Sequence, residues 1–369
     1  MSTQSHSFDP QQWCEPHIRE VHAYVPGEQP SRREWTKLNT NENPFPPSPK
    51  VKAAIEAAVE GLAFYPQPDS ARLREAVALH HGLSSDQVLA GNGSDDVLNL
   101  LIRVFGGRDR PVGAMDPSYS LYPVLCRIQN APFHVIPYDS TMKLPVEAVA
   151  KSGVNLFFLT SPNAPTGVGY TTSELTQVAE TFPGILVIDE AYAAFASEDA
   201  IPLLEEFPNV VITRSFSKSH GLAGLRVGYA LGSPQVIELL DRVRDSYNLD
   251  ALAQAGAIAA LQDTDYLKTT VQAVIGLRED HRRFLEKLGW ATFPSQSNFL
   301  CARPIDGRGR SGKEVAADCF GFLKEQKILV RYFPRQPLVS SYLRISVGTR
   351  QQMQNLQDHL LSWIEGTKG

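Results

Sequence analysis

From about residue 87 onward, short apolar runs alternate with amphipathic stretches. The runs at 87–90, 111–115, 133–137, 155–160, 184–188 and 210–213 are too short for helices and rich in Val, Ile and Phe, so they read as strands. Between them lie stretches with helical spacing, such as 95–105. Strands interleaved with helices predict an α/β fold whose mostly parallel central sheet is covered on both faces. Upstream, 51–62 and 71–81 also show helical spacing, whereas four prolines within 41–49 exclude a helix there. The first 35 residues are polar and turn-forming and read as an arm without its own core.

After residue 244 the texture changes. Residues 251–261 are alanine-rich, and Leu267, Val271, Val274 and Leu277 recur at helical spacing. Strands are expected at 299–302, 328–331 and 343–347, with a closing helix at 351–364. The expected organisation is an arm over 1–36, a large domain over 37–247 and a smaller α/β domain over 248–369.

Composition narrows the class. A chain of 369 residues with 43% hydrophobic and 20% charged content is that of a globular protein with a sizeable core. Its 35 basic and 40 acidic residues give a net charge of −5, which argues against nucleic acid as partner. Cys14, Cys126, Cys301 and Cys319 are scattered without metal-site spacing, so no disulfide framework and no metal are expected. The N-terminus has no signal-peptide pattern and no run is long enough to span a bilayer, so a cytoplasmic protein without a membrane partner is expected.

Candidate chemistry gathers in a few segments. Lys218 lies in Ser215-Phe216-Ser217-Lys218, with Arg226 eight positions on. A lysine among hydroxyl residues, beside an arginine, suits an amine that captures an aldehyde next to a phosphate pocket. Asp189 ends the apolar run before Glu190-Ala191-Tyr192, where burying an unpaired carboxylate costs several kcal/mol. A protonated pyridine nitrogen would satisfy it, and the Tyr192 hydroxyl can serve a ring oxygen; a helix cap or an arginine pair is the structural alternative. Asn163, in Ser161-Pro162-Asn163-Ala164-Pro165, follows a strand end and can donate to the same oxygen. Gly91-Asn92-Gly93-Ser94-Asp95-Asp96 joins a strand to a helix, so its N–H groups can cradle a phosphate, with Ser94 as cap and the aspartate carboxylates turned away. Ser215, Ser217 and Arg226 complete such a shell. Tyr119 is the candidate to stack on a ring. Arg344 interrupts an apolar strand and Arg331 ends a neighbouring one, so both ask for anionic partners. No G-x-G-x-x-G or Walker-type loop follows an early strand.

Taken in order, Tyr24-Val25-Pro26-Gly27, Asn39-Thr40-Asn41-Glu42-Asn43-Pro44, Tyr65-Pro66, Gly93-Ser94-Asp95-Asp96, Ser161-Pro162-Asn163, Asp189-Glu190-Ala191-Tyr192, Ser217-Lys218, Arg226 and Arg344 resemble the fold-type-I pyridoxal-phosphate aminotransferases, and among them the histidinol-phosphate branch. The resemblance implies pyridoxal 5'-phosphate as cofactor, with Lys218 bonding its aldehyde, Asp189 at the ring nitrogen, and Tyr192 and Asn163 at the ring oxygen. Tyr119 would stack on the ring; Ser94, Asp95 through its backbone, Ser215, Ser217 and Arg226 would hold the phosphate. Tyr65 would reach the neighbouring subunit's site in a homodimer. Tyr24, Asn43, Tyr65, Asn163, Arg331 and Arg344 would meet the substrates, histidinol phosphate and glutamate or 2-oxoglutarate. Ala23 and Ala164 depart from the residues many relatives carry, proline and a second asparagine, at positions read as not needing a side chain. His220 is read as packing rather than as a base. Aromatic-amino-acid aminotransferases and cofactor-dependent decarboxylases share much of the pattern, and an inactive binding or regulatory homologue is the non-enzyme alternative.

Overall fold

A computed structural model describes residues 8–30 and 34–368. Seven strands form the main sheet: β1 (Val88–Gly91), β2 (Val112–Asp116), β3 (Phe133–Pro137), β4 (Leu156–Thr160), β5 (Ile185–Asp189), β6 (Val210–Ser215) and β7 (Gly228–Gly232). Their order is β1-β7-β6-β5-β4-β2-β3. Neighbours from β6 through β3 run parallel, while β7 is antiparallel to both β1 and β6. Side chains alternate between faces, and both faces are apolar. Along β4, Leu156 and Phe158 enter one core while Phe157 and Leu159 enter the other. The last residues of β2, β4, β5 and β6 are Asp116, Thr160, Asp189 and Ser215, all at the carboxyl edge, where open α/β sheets bind ligands.

The six strands expected in this sheet are present, each within two residues of its expected bounds. The seventh, β7, was not anticipated. It is bracketed by Gly228 and Gly232, which weaken any strand signal. Gly228 is needed there because a Cβ would lie 2.3 Å from the Ser94 nitrogen. The helix Pro49–Ala58 reaches one residue into the proline-rich stretch: Pro49 occupies its first turn and the Ser48 hydroxyl accepts from Lys50 N–H.

A second sheet contains β8 (Ala291–Thr292), β9 (Phe299–Arg303), β10 (Arg331–Tyr332) and β11 (Leu343–Ser346), in the order β10-β11-β9-β8. The helices Lys313–Glu325 and Arg350–Gly366 supply Leu323, Leu356, Leu360 and Trp363 to its core. The single strand expected at 328–331 is divided. Ile328–Leu329 pairs in parallel with Thr36–Lys37, whereas Arg331–Tyr332 joins β11. The boundary expected at 247/248 also differs from the packing. Ala253, Ala257 and Ala260, on the helix Ala251–Leu261, are buried in the main-sheet core, and the small side chains of that helix let it lie close to Pro49–Ala58. At the other end, Leu38 belongs to the core of the smaller sheet. Among the described residues, no helix is long and apolar enough to cross a membrane.

Candidate active site

A cavity of about 350 Å³ opens at the carboxyl edge of the main sheet, closed from above by Arg331, Phe333 and Arg344 of the smaller unit. Asp189 forms its floor. Its Oδ2 accepts from the Tyr122 hydroxyl at 2.6 Å and its Oδ1 from Thr213 Oγ1 at 3.2 Å. Both donors are neutral, and no cation pairs with it among the described residues. Burial pushes the carboxyl up to about 6, against the lowering effect of those two hydrogen bonds. Lys218 lies on the short helix Phe216–Ser219 and donates from Nζ to the Thr40 carbonyl at 3.1 Å. Burial first, then the Arg344 charge, bring its ammonium down to about 8. An amine in this condition has an appreciable neutral, and hence nucleophilic, fraction close to physiological pH, where an ordinary lysine has almost none.

An anion cup forms another part of the lining. The helix Ser94–Phe105 points its N-terminus at the cavity, and Ser94, Asp95, Ser215, Ser217 and Arg226 line it. Arg226 donates to Ser217 Oγ at 3.3 Å and to Asp95 Oδ2 at 3.2 Å. Gly93, at φ 82°, leaves room for that guanidinium: a Cβ there would come within 2.5 Å of it. Two expectations are corrected here. Gly93 holds the cap position, and Ser94 is the first helical residue, making no side-chain cap bond. The Asp95 carboxylate does not turn away; it accepts from Arg226 and from the Tyr119 hydroxyl at 3.1 Å, because these are the donors its position at the cup offers.

Tyr119 lines the cavity with its ring edge-on to Tyr24 and Tyr122. Tyr192 Oη accepts from Asn41 Nδ2 at 2.9 Å, and its ring meets Phe299 edge-on. Arg331 and Arg344 face each other across β10 and β11. Arg344 donates to the Asn39 carbonyl at 2.8 Å, while its buried Nε has no partner. No carboxylate pairs with either guanidinium among the described residues. Burial and the Arg331 charge lower the Arg344 pKa.

Asn163 and Asn43 do not stand where the sequence led us to expect. Asn163 is fully buried behind the wall: its amide donates to the Pro117 carbonyl at 3.0 Å and its Oδ1 accepts from Thr166 Oγ1 at 2.7 Å, which ties the proline-rich loop together. Ala164 takes the place at the cavity. The position read as needing no side chain is therefore the one that faces the site. Asn43 likewise acts as a clamp, donating to the carbonyls of Lys218 and Ser219 at 2.9 Å each. Tyr65 is 82% exposed and stacks on Tyr247, away from this chain's own cavity. His220 packs against Phe216 and shares a hydrogen bond with Ser219. Thr40, Asn41, Tyr122 and Thr213 touch the functional groups yet were not singled out. For Tyr122 and Thr213 the available signal was a polar group on an otherwise apolar element; Thr40 and Asn41 lie in a motif whose polar density was visible.

The family model for aminotransferase class I and II matches residues 33–360. The chain belongs to this aminotransferase family. Among curated relatives, the histidinol-phosphate aminotransferase of Chromohalobacter salexigens is 42% identical over 350 residues, covering 94% of this chain and 97% of that one. That of Syntrophotalea carbinolica is 45% identical over 339 residues, covering 91% and 95%. Among solved structures, histidinol-phosphate aminotransferase from Sinorhizobium meliloti, in complex with pyridoxal-5'-phosphate, superimposes with a TM-score of 0.87 at 28% identity, covering 96% of this chain and 98% of that one.

Proposed function

We propose that this aminotransferase moves an amino group between L-histidinol phosphate and 2-oxoglutarate, with pyridoxal 5'-phosphate as cofactor. The observation that carries the cofactor is Asp189: a buried carboxylate whose donors are neutral, lining the same cavity as an anion cup and an amine brought down to about 8. The residues fit the group. Asp189 suits a protonated ring nitrogen, Tyr192 the ring oxygen, Tyr119 the ring face, and Ser94, Ser215, Ser217, Arg226 and the Asp95 N–H the phosphate. Bound there, pyridoxal phosphate supplies an aldehyde that condenses with amines and a ring that withdraws electrons from the neighbouring C–H bond.

The chain's own residues do the rest. Asp189 keeps a positive charge opposite it favourable, and burial strengthens that interaction. Lys218 Nζ, freed when substrate takes its place, removes the proton from the substrate carbon and returns it one position away. Arg344 and Arg331 hold the substrate anion, a phosphate ester in one half-reaction and a carboxylate in the other. Tyr24 closes the same side of the cavity. The wall from Tyr119 to Phe333 limits water at the reacting carbon.

The substrate reading is supported by the identity to histidinol-phosphate aminotransferases over nine-tenths of the chain and by two guanidiniums without carboxylate partners among the described residues. Parallel assays of histidinol phosphate and phenylalanine, each with 2-oxoglutarate, test it; negligible turnover of the first overturns the substrate. Borohydride reduction followed by peptide mapping tests the cofactor, with the label expected on Lys218. We also infer a homodimer in which Tyr65, exposed beside Leu62 and Phe64, meets the neighbouring site. A cytoplasmic location fits four free cysteines, three of them buried.

A further inference from the structure

Beside Ala164, where an asparagine would have offered an amide to the ring oxygen, the cavity presents the Tyr192 hydroxyl. Ala164 contributes only a methyl group to that wall, and Asn163 is committed behind it. What directs the Tyr192 proton is therefore decisive. Tyr192 Oη has one hydrogen-bond partner among the described residues, Asn41 Nδ2 at 2.9 Å.

The direction of that bond follows from how Asn41 is held. Its backbone N–H donates to Ser346 Oγ at 2.9 Å, so the Ser346 hydroxyl gives its own proton to Asn41 Oδ1, also at 2.9 Å. The amide oxygen thus faces Ser346 and the NH2 faces the phenol. The Asn41 carbonyl accepts from Asn298 Nδ2 at 3.0 Å. All four polar groups of Asn41 are engaged, and its backbone sits in the left-handed region at φ 54°. A phenol oxygen that accepts from Asn41 has its proton to give elsewhere, and the open side is the cavity.

We propose that Asn41 is a positioning residue acting through Tyr192: by donating to the phenol oxygen it turns the phenolic proton toward the cofactor's ring oxygen, and Ser346 and Asn298 tie that orientation to the smaller sheet. The inference rests on the reading of the cavity as a pyridoxal-phosphate site.

The test is a pH titration of the visible absorption band of the cofactor-loaded protein. A donor at the ring oxygen favours the form with more negative charge there, which is the alkaline form, and so lowers the midpoint. Asn41→Gly removes the amide while tolerating the left-handed backbone. It is expected to raise the midpoint by about one pH unit. In a Tyr192→Phe background the same change is expected to add nothing, since a residue that acts through the phenol has no effect without it. Ser346→Ala, which frees the amide to turn without altering the backbone, is expected to give a smaller rise and carries the test if Asn41→Gly does not fold. An unmoved midpoint beside a normal wild-type band, or a shift that persists in the Tyr192→Phe background, overturns the inference alone. A wild-type protein that never develops a band overturns the cofactor reading, and the inference with it.

Discussion

Asp189 and Glu190 are consecutive, both buried and both acidic, yet they are held in opposite ways. Glu190 is closed: its Oε2 takes two bonds from Arg214, at 2.9 and 2.6 Å, its Oε1 takes the Ala200 N–H at 2.7 Å, and Arg214 also reaches Asp199 at 2.8 Å. Asp189 has a phenol, a threonine and the Ala191 N–H, all of them neutral. The same contrast separates Arg214, whose pKa its carboxylates raise, from Arg344, whose pKa burial lowers. A buried charge that the fold neutralises itself, as at Glu190 and Arg214, is scaffold. One that the fold buries without neutralising is built for a ligand, because the desolvation cost is otherwise uncompensated.

The largest expected effect tests the functional side of this contrast. Lys218→Ala should lower transamination by roughly 10⁴-fold, since one change removes both the amine that captures the aldehyde and the proton carrier; steady-state turnover measures it. Next come the adjacent acids. Asp189→Asn should cost roughly 10²–10³ in kcat while leaving stability without cofactor unchanged or raised by about 1 kcal/mol, because an unpaired buried charge disappears. Glu190→Gln should do the reverse, costing up to about 3 kcal/mol because Arg214 keeps only the Asp199 carboxylate, while kcat falls less than roughly tenfold. Urea unfolding beside kinetics on both variants decides the matter, and matching profiles for the two would break the distinction. Arg344→Ala should lower kcat/KM for both anionic substrates by roughly 10²-fold, with Arg344→Lys recovering only part, because an ammonium lacks the planar fork.

A last effect concerns pH and stability rather than turnover. His81, His220 and His281 are each brought down to about 3 by burial, whereas in the unfolded chain they titrate near 6.5. Between those values the unfolded chain binds more protons, so stability is full above about 6.5 and is lost as the pH falls. Asp189, raised to about 6, binds a proton in the folded state that the unfolded chain has lost above 3.8, which opposes the trend by one proton. For these four groups alone, a net of two protons sets a slope of about 2.7 kcal/mol per pH unit, to which the lowered His80 adds and from which the raised Glu190 subtracts. Thermal unfolding between pH 4 and 7 should show it, and the opposing share of Asp189 should vanish in Asp189→Asn.

Much of this was legible in the sequence, for identifiable reasons. The parallel strands are continuous apolar runs, so their number and position follow from patterning. Lys218, Asp189 and Arg344 were visible because each is a charge in an apolar or small-residue setting, where a scaffold has no use for it. Two kinds of feature were not legible. The strand β7 begins and ends in glycine, and the requirement for Gly228 comes from the approach of Ser94, far away in sequence. Which of two adjacent loop residues faces the cavity is set by backbone direction, so Asn163 looked like the donor while Ala164 stands at the wall. Pairwise partners such as Asn41 with Tyr192 are long-range as well, and a single chain read in order carries no mark of them.

The pairing of Thr36–Lys37 with Ile328–Leu329 bears on the order of assembly. During synthesis the main sheet has all its strands once residue 232 has emerged, whereas the early strand must wait for a partner made near the end. The smaller sheet, and the lid that Arg331 and Arg344 place over the cavity, come into being only after that. A nascent chain that has not yet made residues 328–346 thus lacks the roof that Arg331 and Arg344 supply.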